Sequence, residues 1–272
     1  AQLVAAGDLT QRTEPEGALE IAQLMADVNA MTESLDRLQK ARRLWIAQIS
    51  HELRTPLSVL RGELEAVQDG ARKPDDILIK NLLDEVLHLS RLVGDLHTLS
   101  MADVGQLHCE FQTQSVTADL LRLTARYEVL GLKHGHKVQI KSQAEVIAHW
   151  DMRRINQVLT NLFENSMRYT DSPGRILVGW EIQENEFRFT MEDTPPAVPS
   201  HALTQMFEPL YRADSARTRT SNGGDNGSGS GLGLAIVRAI VEAHNGRIAA
   251  SQSELGGIKV TLDLPLRPTE AT

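Results

Sequence analysis

The feature that most constrains the fold of this chain is an apolar stripe of helical period that runs from about Leu19 to Val67. The stretch from Gly17 to Ser50 contains no proline, so nothing in it interrupts a helix. One side of this long predicted helix is apolar, which favours packing in a coiled coil or a helical bundle. The stripe consists of Leu35, Leu38, Trp45, Ile49, Leu53, Leu60, Leu64 and Val67.

A break follows at "GARKPDD" (Gly70 to Asp76), where a glycine ends one helix and Pro-Asp opens the next. The second helix is predicted from about Ile77 to Met101. Two antiparallel helices cannot hide both stripes between themselves, so we expect an all-α helical hairpin that dimerises into a four-helix bundle. The second stripe consists of Leu82, Val86, Leu89, Val93, Leu96 and Leu99.

After this hairpin the pattern alternates between helices and strands, which predicts an α/β sandwich. A helix from about Thr117 to His134 leads to the strand "HKVQIKS", and a second helix lies in "MRRINQVLTNLFENSMRYT". Strands are predicted around "GRILVGWEI", "EFRFTMED", "GRIAAS" and "GIKVTLDLPL", with a helix in "GLGLAIVRAIVEAH". A long loop rich in Gly, Pro and Ser is predicted from Thr194 to Ser230, and loops of that length are usually functional or disordered.

The composition excludes several classes of function. The 272 residues suffice for about two domains, and the net charge of -8 argues against a general nucleic-acid binder. Cys109 is the only cysteine, so neither an intrachain disulfide nor a cysteine zinc site can form. No apolar run is long enough to span a membrane. A transition-metal site is not expected, because no ligand spacing is shared by His134, His136, His149 and His244.

The stretch "ISHELRTPL" (residues 49–57) raises the question of what His51 does. A zinc-protease motif would need a second histidine where Thr55 stands. Helical phase turns His51 away from the apolar stripe and places Thr55 on the same exposed face. Glu52 can reach the imidazole, and a kink is expected at Pro56, which cannot donate to the carbonyl of Glu52. An exposed histidine without a role and a nucleophilic histidine held by a carboxylate both fit this pattern.

"ISHELRTPL" resembles the H-box of bacterial two-component sensor histidine kinases. The resemblance implies that His51 is autophosphorylated and that Glu52 is its acid/base partner. It further implies that Thr55 orients water when the phosphorylated response regulator is dephosphorylated.

"NLFENSMRYT" resembles the N-box of the same family. Asn161 and Asn165 share one helix face, and neutral amide oxygens suit Mg²⁺. The resemblance makes Asn165 the Mg²⁺ ligand, with Asn161 beside it and Arg168 and Tyr169 near the nucleotide. An amphipathic helix with polar outer residues is the alternative interpretation of this segment alone.

"GSGSGLGLAIV" resembles the G2 box, in which small residues and a helix N-terminus face the phosphates of ATP. No Walker lysine is present, so the segment is not a P-loop. The nucleotide-contacting residues that the resemblance implies here are Gly229, Gly231, Gly233 and Leu234.

"MFEPLYR" resembles the F-box, which implies that Phe207 anchors the base of a lid and that Arg212 reaches the phosphates. The G1 motif of the family, Asp-x-Gly-x-Gly, is represented here by "DTPPAVP". Asp193 remains and, by resemblance, hydrogen-bonds the adenine amino group. Both glycines are missing, and because proline fixes φ near -65°, we expect a stiffer lid entrance of a different shape.

The resemblance covers nearly the whole chain. "AAGDLTQR" with "EIAQLMADVNAMTESL" resembles the second half of a HAMP signalling linker, which in this family follows a transmembrane helix. The predicted domains are therefore a partial HAMP linker (residues 1–38), a dimerisation and phosphotransfer hairpin (39–104) and a catalytic ATP-binding domain of the Bergerat, or GHKL, fold (108–268). "HELRTPLSVLRGELEAVQDG" and "VEAHNGRI" most resemble envelope-stress sensors of the Bae type.

These patterns together predict a homodimeric, ATP- and Mg²⁺-dependent protein-histidine kinase that phosphorylates a response-regulator receiver domain, with phosphatase activity on that regulator. The resemblance implies the cytoplasmic portion of an inner-membrane protein, attached through N-terminal segments absent from this sequence. Two alternatives remain: an ATPase of the gyrase, Hsp90 and MutL group, and a phosphatase or scaffold member weakened by "DTPPAVP".

Overall fold

The computed structural model describes residues 19–142, 144–211 and 230–267. The helices are α1 Leu19–Gln68, α2 Asp76–Asp103, α3 Thr117–Lys133, α4 Met152–Tyr169, α5 Ser200–Gln205 and α6 Gly233–Ala243. The strands are β1 Gln112–Ser115, β2 His136–Ser142, β3 Ile147–Trp150, β4 Gly174–Gln183, β5 Glu186–Asp193, β6 Arg247–Gln252 and β7 Ile258–Pro265. Contacts divide the chain into two units, residues 1–85 and 86–272, and α2 begins in the first and ends in the second.

In the first unit, α1 runs without a break through Pro56. Its apolar stripe is only partly covered: Ile49 and Leu53 are half-buried, and the Leu64 side chain is 55% exposed. Helical periodicity therefore predicted this element correctly, and the uncovered stripe is the property from which the sequence predicted a second copy.

The turn between α1 and α2 is held by local contacts within the first unit. The Arg72 guanidinium pairs with Glu63, and the Arg72 N–H donates to the carbonyl of Ala66 at 3.0 Å. Asp75 opens α2 as its N-terminal cap, because its carboxylate accepts from the Leu78 N–H at 2.7 Å. The Pro-Asp signal in the sequence thus marks the start of the helix correctly.

The second unit is built around a five-stranded sheet of order β2-β4-β5-β7-β6. Strands β2 and β4 are parallel, and the other neighbouring pairs are antiparallel. Its core includes Trp180, Phe187 and Phe189 from the sheet and Phe163 from α4, all nearly inaccessible to solvent. This arrangement of a helical region followed by an α/β sheet domain confirms the predicted fold class.

Two details differ from the sequence-based expectation. Strands β1 and β3 form a separate antiparallel pair, with Gln112 opposite Trp150, that the pattern did not reveal. Each strand is too short for alternation to stand out, and they pair across a helix and another strand. The prediction of an irregular loop from Thr194 to Ser230 was wrong in its first part, which contains helix α5.

In the described parts of the chain, no helix is long and apolar enough to cross a membrane. The same residues contain no group of three or more His, Cys, Asp or Glu side chains arranged to hold a metal ion.

Candidate functional site

His51 lies on the exposed surface of α1, as helical phase predicted. Thr55, one turn further on, is also exposed, and its hydroxyl donates to the carbonyl of His51 at 3.3 Å. Glu52 is half-buried, and among the described residues no hydrogen bond joins its carboxylate to the His51 ring. An exposed ring of this kind is open to a reaction partner approaching from solvent.

Asp193, at the end of β5, is buried and yet fully anchored. One carboxylate oxygen, Oδ1, accepts from the Ile258 N–H at 2.6 Å, and the other, Oδ2, accepts from the Ser166 hydroxyl at 3.0 Å. Burial raises the pKa of Asp193 to about 6, while the two hydrogen bonds act in the opposite direction. A buried carboxylate held by two donors is a fixed acceptor for a further N–H group.

The turn between β6 and β7 packs directly on Asp193. The Gly257 N–H donates to the Asp193 carbonyl at 3.2 Å. A Cβ on Gly257 would lie 2.4 Å from Asp193 Oδ1 and 2.5 Å from the carbonyl oxygen of Thr194. Only glycine fits at this position, and sequence reasoning missed it, although the Gly-Gly pair before the last strand was a visible signal.

The first three residues of the segment "DTPPAVP" each make a backbone hydrogen bond to another part of the second unit. Besides the Gly257 bond to Asp193, the Thr194 N–H donates to the Arg175 carbonyl at 3.1 Å. The Asp171 N–H donates to the Pro195 carbonyl at 2.9 Å. Because backbone groups make these bonds, they do not require glycine in the G1 segment.

Helix α4 presents the N-box residues. The Asn161 amide donates from Nδ2 to the carbonyl of Gly233 at 3.2 Å, which ties α4 to the first residue of α6. Asn165 and Tyr169 are half-buried, and Arg168 is exposed. The buried face of the same helix carries Ser166, so the N-box and the anchor of Asp193 come from adjacent residues.

A backbone hydrogen bond holds the end of the Gly-rich segment, where the described chain resumes at residue 230. The Leu210 N–H donates to the carbonyl of Gly231 at 2.9 Å, and both residues have positive φ, 62° and 70°. Phe207, three residues before Leu210, is buried, as the F-box resemblance implies for a residue that anchors a lid. Leu234 is half-buried in the first turn of α6. The predicted contacts of Arg212 and Gly229 lie outside the described residues.

His244 is a structural rather than a reactive histidine. It is inaccessible to solvent, its Nδ1 lies 2.8 Å from the carbonyl of Ile240, and its Nε2 accepts from the Asp151 N–H at 3.2 Å. These partners require the proton on Nδ1, and burial lowers the pKa of the ring. His244 thus fixes Asp151, which caps α4 by accepting from the Arg154 N–H at 3.1 Å.

Comparison with protein families divides the chain into three matched segments. Residues 1–37 match the HAMP domain, and residues 41–105 match the His Kinase A (phospho-acceptor) domain. Residues 150–268 match the histidine kinase-, DNA gyrase B-, and HSP90-like ATPase.

Individual proteins give the same result. The chain is 43% identical over 97% of its length to the signal transduction histidine-protein kinase BaeS of Escherichia coli strain K12, of which the match covers 55%. The structure of the Acinetobacter baumannii histidine kinase AdeS is 29% identical with a TM-score of 0.64, covering 79% of this chain and 98% of that one.

The fold is also similar to that of histidine kinase ThkA, solved in complex with response regulator protein TrrA, at 21% identity and a TM-score of 0.61. That match covers 86% of this chain and 64% of the other. The chain spans about half the length of BaeS (55%). With the phospho-acceptor, ATPase and HAMP segments all matched, the chain belongs to the family of two-component sensor histidine kinases.

Proposed function

We propose that this chain is the signalling and catalytic part of a homodimeric sensor protein-histidine kinase, in which ATP phosphorylates His51 and the phosphoryl group then passes to a response regulator. The observation that carries the proposal is the exposed His51 in a phospho-acceptor segment, in the same chain as an ATPase module with an anchored acidic pocket residue, Asp193.

In the first step a ring nitrogen of His51 forms a bond to the γ-phosphorus of ATP. The bond from that phosphorus to the β–γ bridging oxygen breaks, and ADP leaves. The attacking nitrogen is the unprotonated one of a neutral ring, and as the N–P bond forms Glu52 takes the proton from the other ring nitrogen, so that the phosphorylated ring is neutral. Phosphoryl transfer of this kind depends mainly on positioning and charge stabilisation.

In the second step an aspartate oxygen of the regulator attacks the phosphorus, and the bond between phosphorus and the His51 nitrogen breaks. His51 takes back a proton and is ready for another cycle. In the phosphatase reaction, Thr55 orients a water molecule toward the phosphorylated regulator. The Thr55 hydroxyl is exposed, and its long bond to the His51 carbonyl (3.3 Å) leaves it available for this.

The nucleotide pocket lies in the second unit. Asp193 accepts from the adenine amino group, while Arg168, Tyr169, Gly231, Gly233 and Leu234 surround the nucleotide. Gly229 and Arg212 are assigned to the phosphates on family resemblance alone.

Mg²⁺ fits the donor set on α4. The amide oxygen of Asn165 is a neutral hard ligand on a half-buried surface, and Mg²⁺ characteristically keeps waters and phosphate oxygens as its other ligands. The absence of an acidic or histidine cluster from the described residues agrees with such a shared site. When bound, the ion would neutralise negative charge on the phosphates.

The homodimer is proposed from the uncovered stripe on the hairpin helices. Leu64 on α1 and Val93 on α2 are 55% and 56% exposed, and both belong to the stripes with helical period. A second copy would bury them in a four-helix bundle. The match of residues 1–37 to HAMP and the response regulator bound to ThkA support an inner-membrane sensor with a response-regulator partner.

Incubation with γ-labelled ATP and Mg²⁺ tests the proposal. We expect label that is stable to base and labile to acid, lost in His51→Gln and retained in His97→Gln, which changes an exposed histidine of α2. Label that survives in His51→Gln would contradict the assignment. Release of ADP without label would favour an ATPase, and failure to bind ATP in calorimetry would favour a phosphatase or scaffold role.

A further inference from the structure

Among the residues that the structure describes, the buried hydroxyl of Ser166 is the one side-chain donor to the Asp193 carboxylate. Ser166 and Asp193 are 5% and 8% exposed, so water does not replace the bond between them. The Ser166 hydroxyl lies 3.0 Å from Asp193 Oδ2 and 3.3 Å from the sulfur of Met191. A hydroxyl has one proton, and a carboxylate oxygen is a far stronger acceptor than a thioether sulfur, so the proton goes to Asp193.

The second donor comes from the backbone and is fixed by the sheet. Strands β5 and β7 pair in antiparallel register, and the first residue of β7, Ile258, donates its N–H to Asp193 Oδ1 at 2.6 Å. With Ser166 on the other oxygen, both ends of the carboxylate are held. Neither oxygen can turn away, and each retains a lone pair for a ligand.

We propose that Ser166 is a positioning residue that sets the nucleobase preference of the pocket, because it holds Asp193 as an acceptor that favours a 6-aminopurine over a 6-oxopurine. This inference rests on the proposed function, in which ATP binds at Asp193. Adenine presents an N–H donor at position 6 to the carboxylate. Hypoxanthine presents an oxygen there, which two held carboxylate oxygens repel.

Loss of the Ser166 hydroxyl removes this selectivity in two ways. The carboxyl group can turn about its bond to Cβ, since of its two described donors only the Ile258 N–H remains. Asp193 Oδ2, which has lost its donor, also takes up a proton more easily. A protonated carboxyl group can then donate to a 6-oxo group. A residue with only a packing role would weaken both nucleotides equally.

The test compares autophosphorylation with γ-labelled ATP and γ-labelled ITP, which differ in the group at purine position 6. We expect Ser166→Ala to lower the ratio of the KM for ITP to the KM for ATP by about tenfold, the effect of one hydrogen bond to a charged group. Ser166→Thr keeps the hydroxyl and should keep the ratio. Thr124→Ala is the matched control, because it removes a buried hydroxyl that bonds only its own helix, at the Leu120 carbonyl.

An unchanged ratio in Ser166→Ala would overturn the inference, and so would an equal fall in Thr124→Ala. If Ser166→Ala does not fold, as judged by thermal melting, Ser166→Cys gives the same comparison with a weak donor of similar size. Failure of the proposed function looks different: the unaltered chain would take no label from ATP. Calorimetric titration with ATP and ITP would then still measure the base preference.

Discussion

Helices α1 and α4 both carry residues of the proposed chemistry, but they are covered to opposite degrees. Along α4 the apolar side chains, including Ile155, Val158 and Phe163, are almost completely buried by other parts of the second unit. Along α1 the apolar stripe is half-buried or exposed, with Leu64 at 55%. The described core of the ATPase segment is buried within one chain, whereas the phospho-acceptor helix leaves apolar surface that the proposed homodimer would cover.

This difference suits the two tasks. A nucleotide pocket needs groups held in place before the ligand arrives, which the packed face of α4 provides through Ser166. In the proposed function, the acceptor helix presents His51 first to the ATP-binding module and then to a response regulator. Exposure of His51 would serve both encounters, and the proposed homodimeric bundle would supply the rigidity that one hairpin lacks.

The largest effect is expected when the buried core of the second unit is disrupted. Phe163 is 1% exposed and stacks on Tyr127 with ring centroids 4.5 Å apart. Phe163→Ala should lower the free energy of unfolding of this unit by about 3–5 kcal/mol. Denaturant titration monitored by circular dichroism measures it, with Leu132→Ala, at a 68% exposed position, as the control. A loss below that of the control would show that the core tolerates the cavity.

The second prediction concerns the exposed apolar stripe of α1, which is the proposed dimer interface. Leu64→Glu places a charge in the proposed dimer interface and should weaken self-association by more than about tenfold, since a buried unpaired charge is costly. Sedimentation over a range of protein concentrations measures it. Leu132→Glu changes a residue that is also exposed in one chain (68%) but lies on α3, and it should leave association unchanged. Equal behaviour of the two variants would contradict dimerisation through the hairpin.

The third prediction concerns the stability cost of the buried carboxylate. Because the pKa of Asp193 is about 6 in the folded chain and near its usual 3.8 when unfolded, stability falls as the pH rises between those values and stays low above them. Asp193→Asn should therefore raise the free energy of unfolding at pH 8 by about 3 kcal/mol and change little near pH 4. It should also abolish ATP binding.

Denaturant titration at both pH values, without nucleotide, measures the Asp193→Asn effect. Glu145→Gln removes an exposed charge from the same unit and serves as the control. A gain in Asp193→Asn that is equal at both pH values would mean that ionisation of Asp193 is not its cause.

The smallest effect is expected from a change at Pro56, which compares α1 with and without a proline beside His51. Pro56→Ala restores a donor to the Glu52 carbonyl and stiffens the helix beside His51. We expect the ratio of kinase to phosphatase activity to change by about fivefold, the scale of a modest conformational coupling. Paired assays of autophosphorylation and regulator dephosphorylation measure it. Unchanged activities in both assays would remove Pro56 from any signalling role.

Much of the fold could be predicted because local periodicity reports burial. A period of three to four residues marked α1, α2 and α4, and the Pro-Asp pair located the start of α2. Helical phase alone predicted that His51 is exposed. Strands β1 and β3 were missed because each is four residues long, too short for alternation to exceed chance.

The family motifs suggested residue types for the candidate site, and these assignments remain predictions, whereas its contacts come from the structure. The resemblance to the family motifs pointed to Asn161, Asn165 and Asp193 as candidates. The motifs gave no indication that Asn161 donates to Gly233 or that Gly257 lies against Asp193. These partners are far apart in sequence, and no local pattern encodes which of them meet.

What the sequence by itself determined is the order of the elements, the exposed position of His51 and membership of the kinase family, since each depends on local pattern or on shared motifs. The tertiary structure alone decided how Asp193 is held. The pairing of β5 with β7 brings the Ile258 N–H to one oxygen, and the packing of α4 on the sheet brings the Ser166 hydroxyl to the other. Hydrogen bonds between distant segments depend on strand register and helix docking, which form only when the chain is folded.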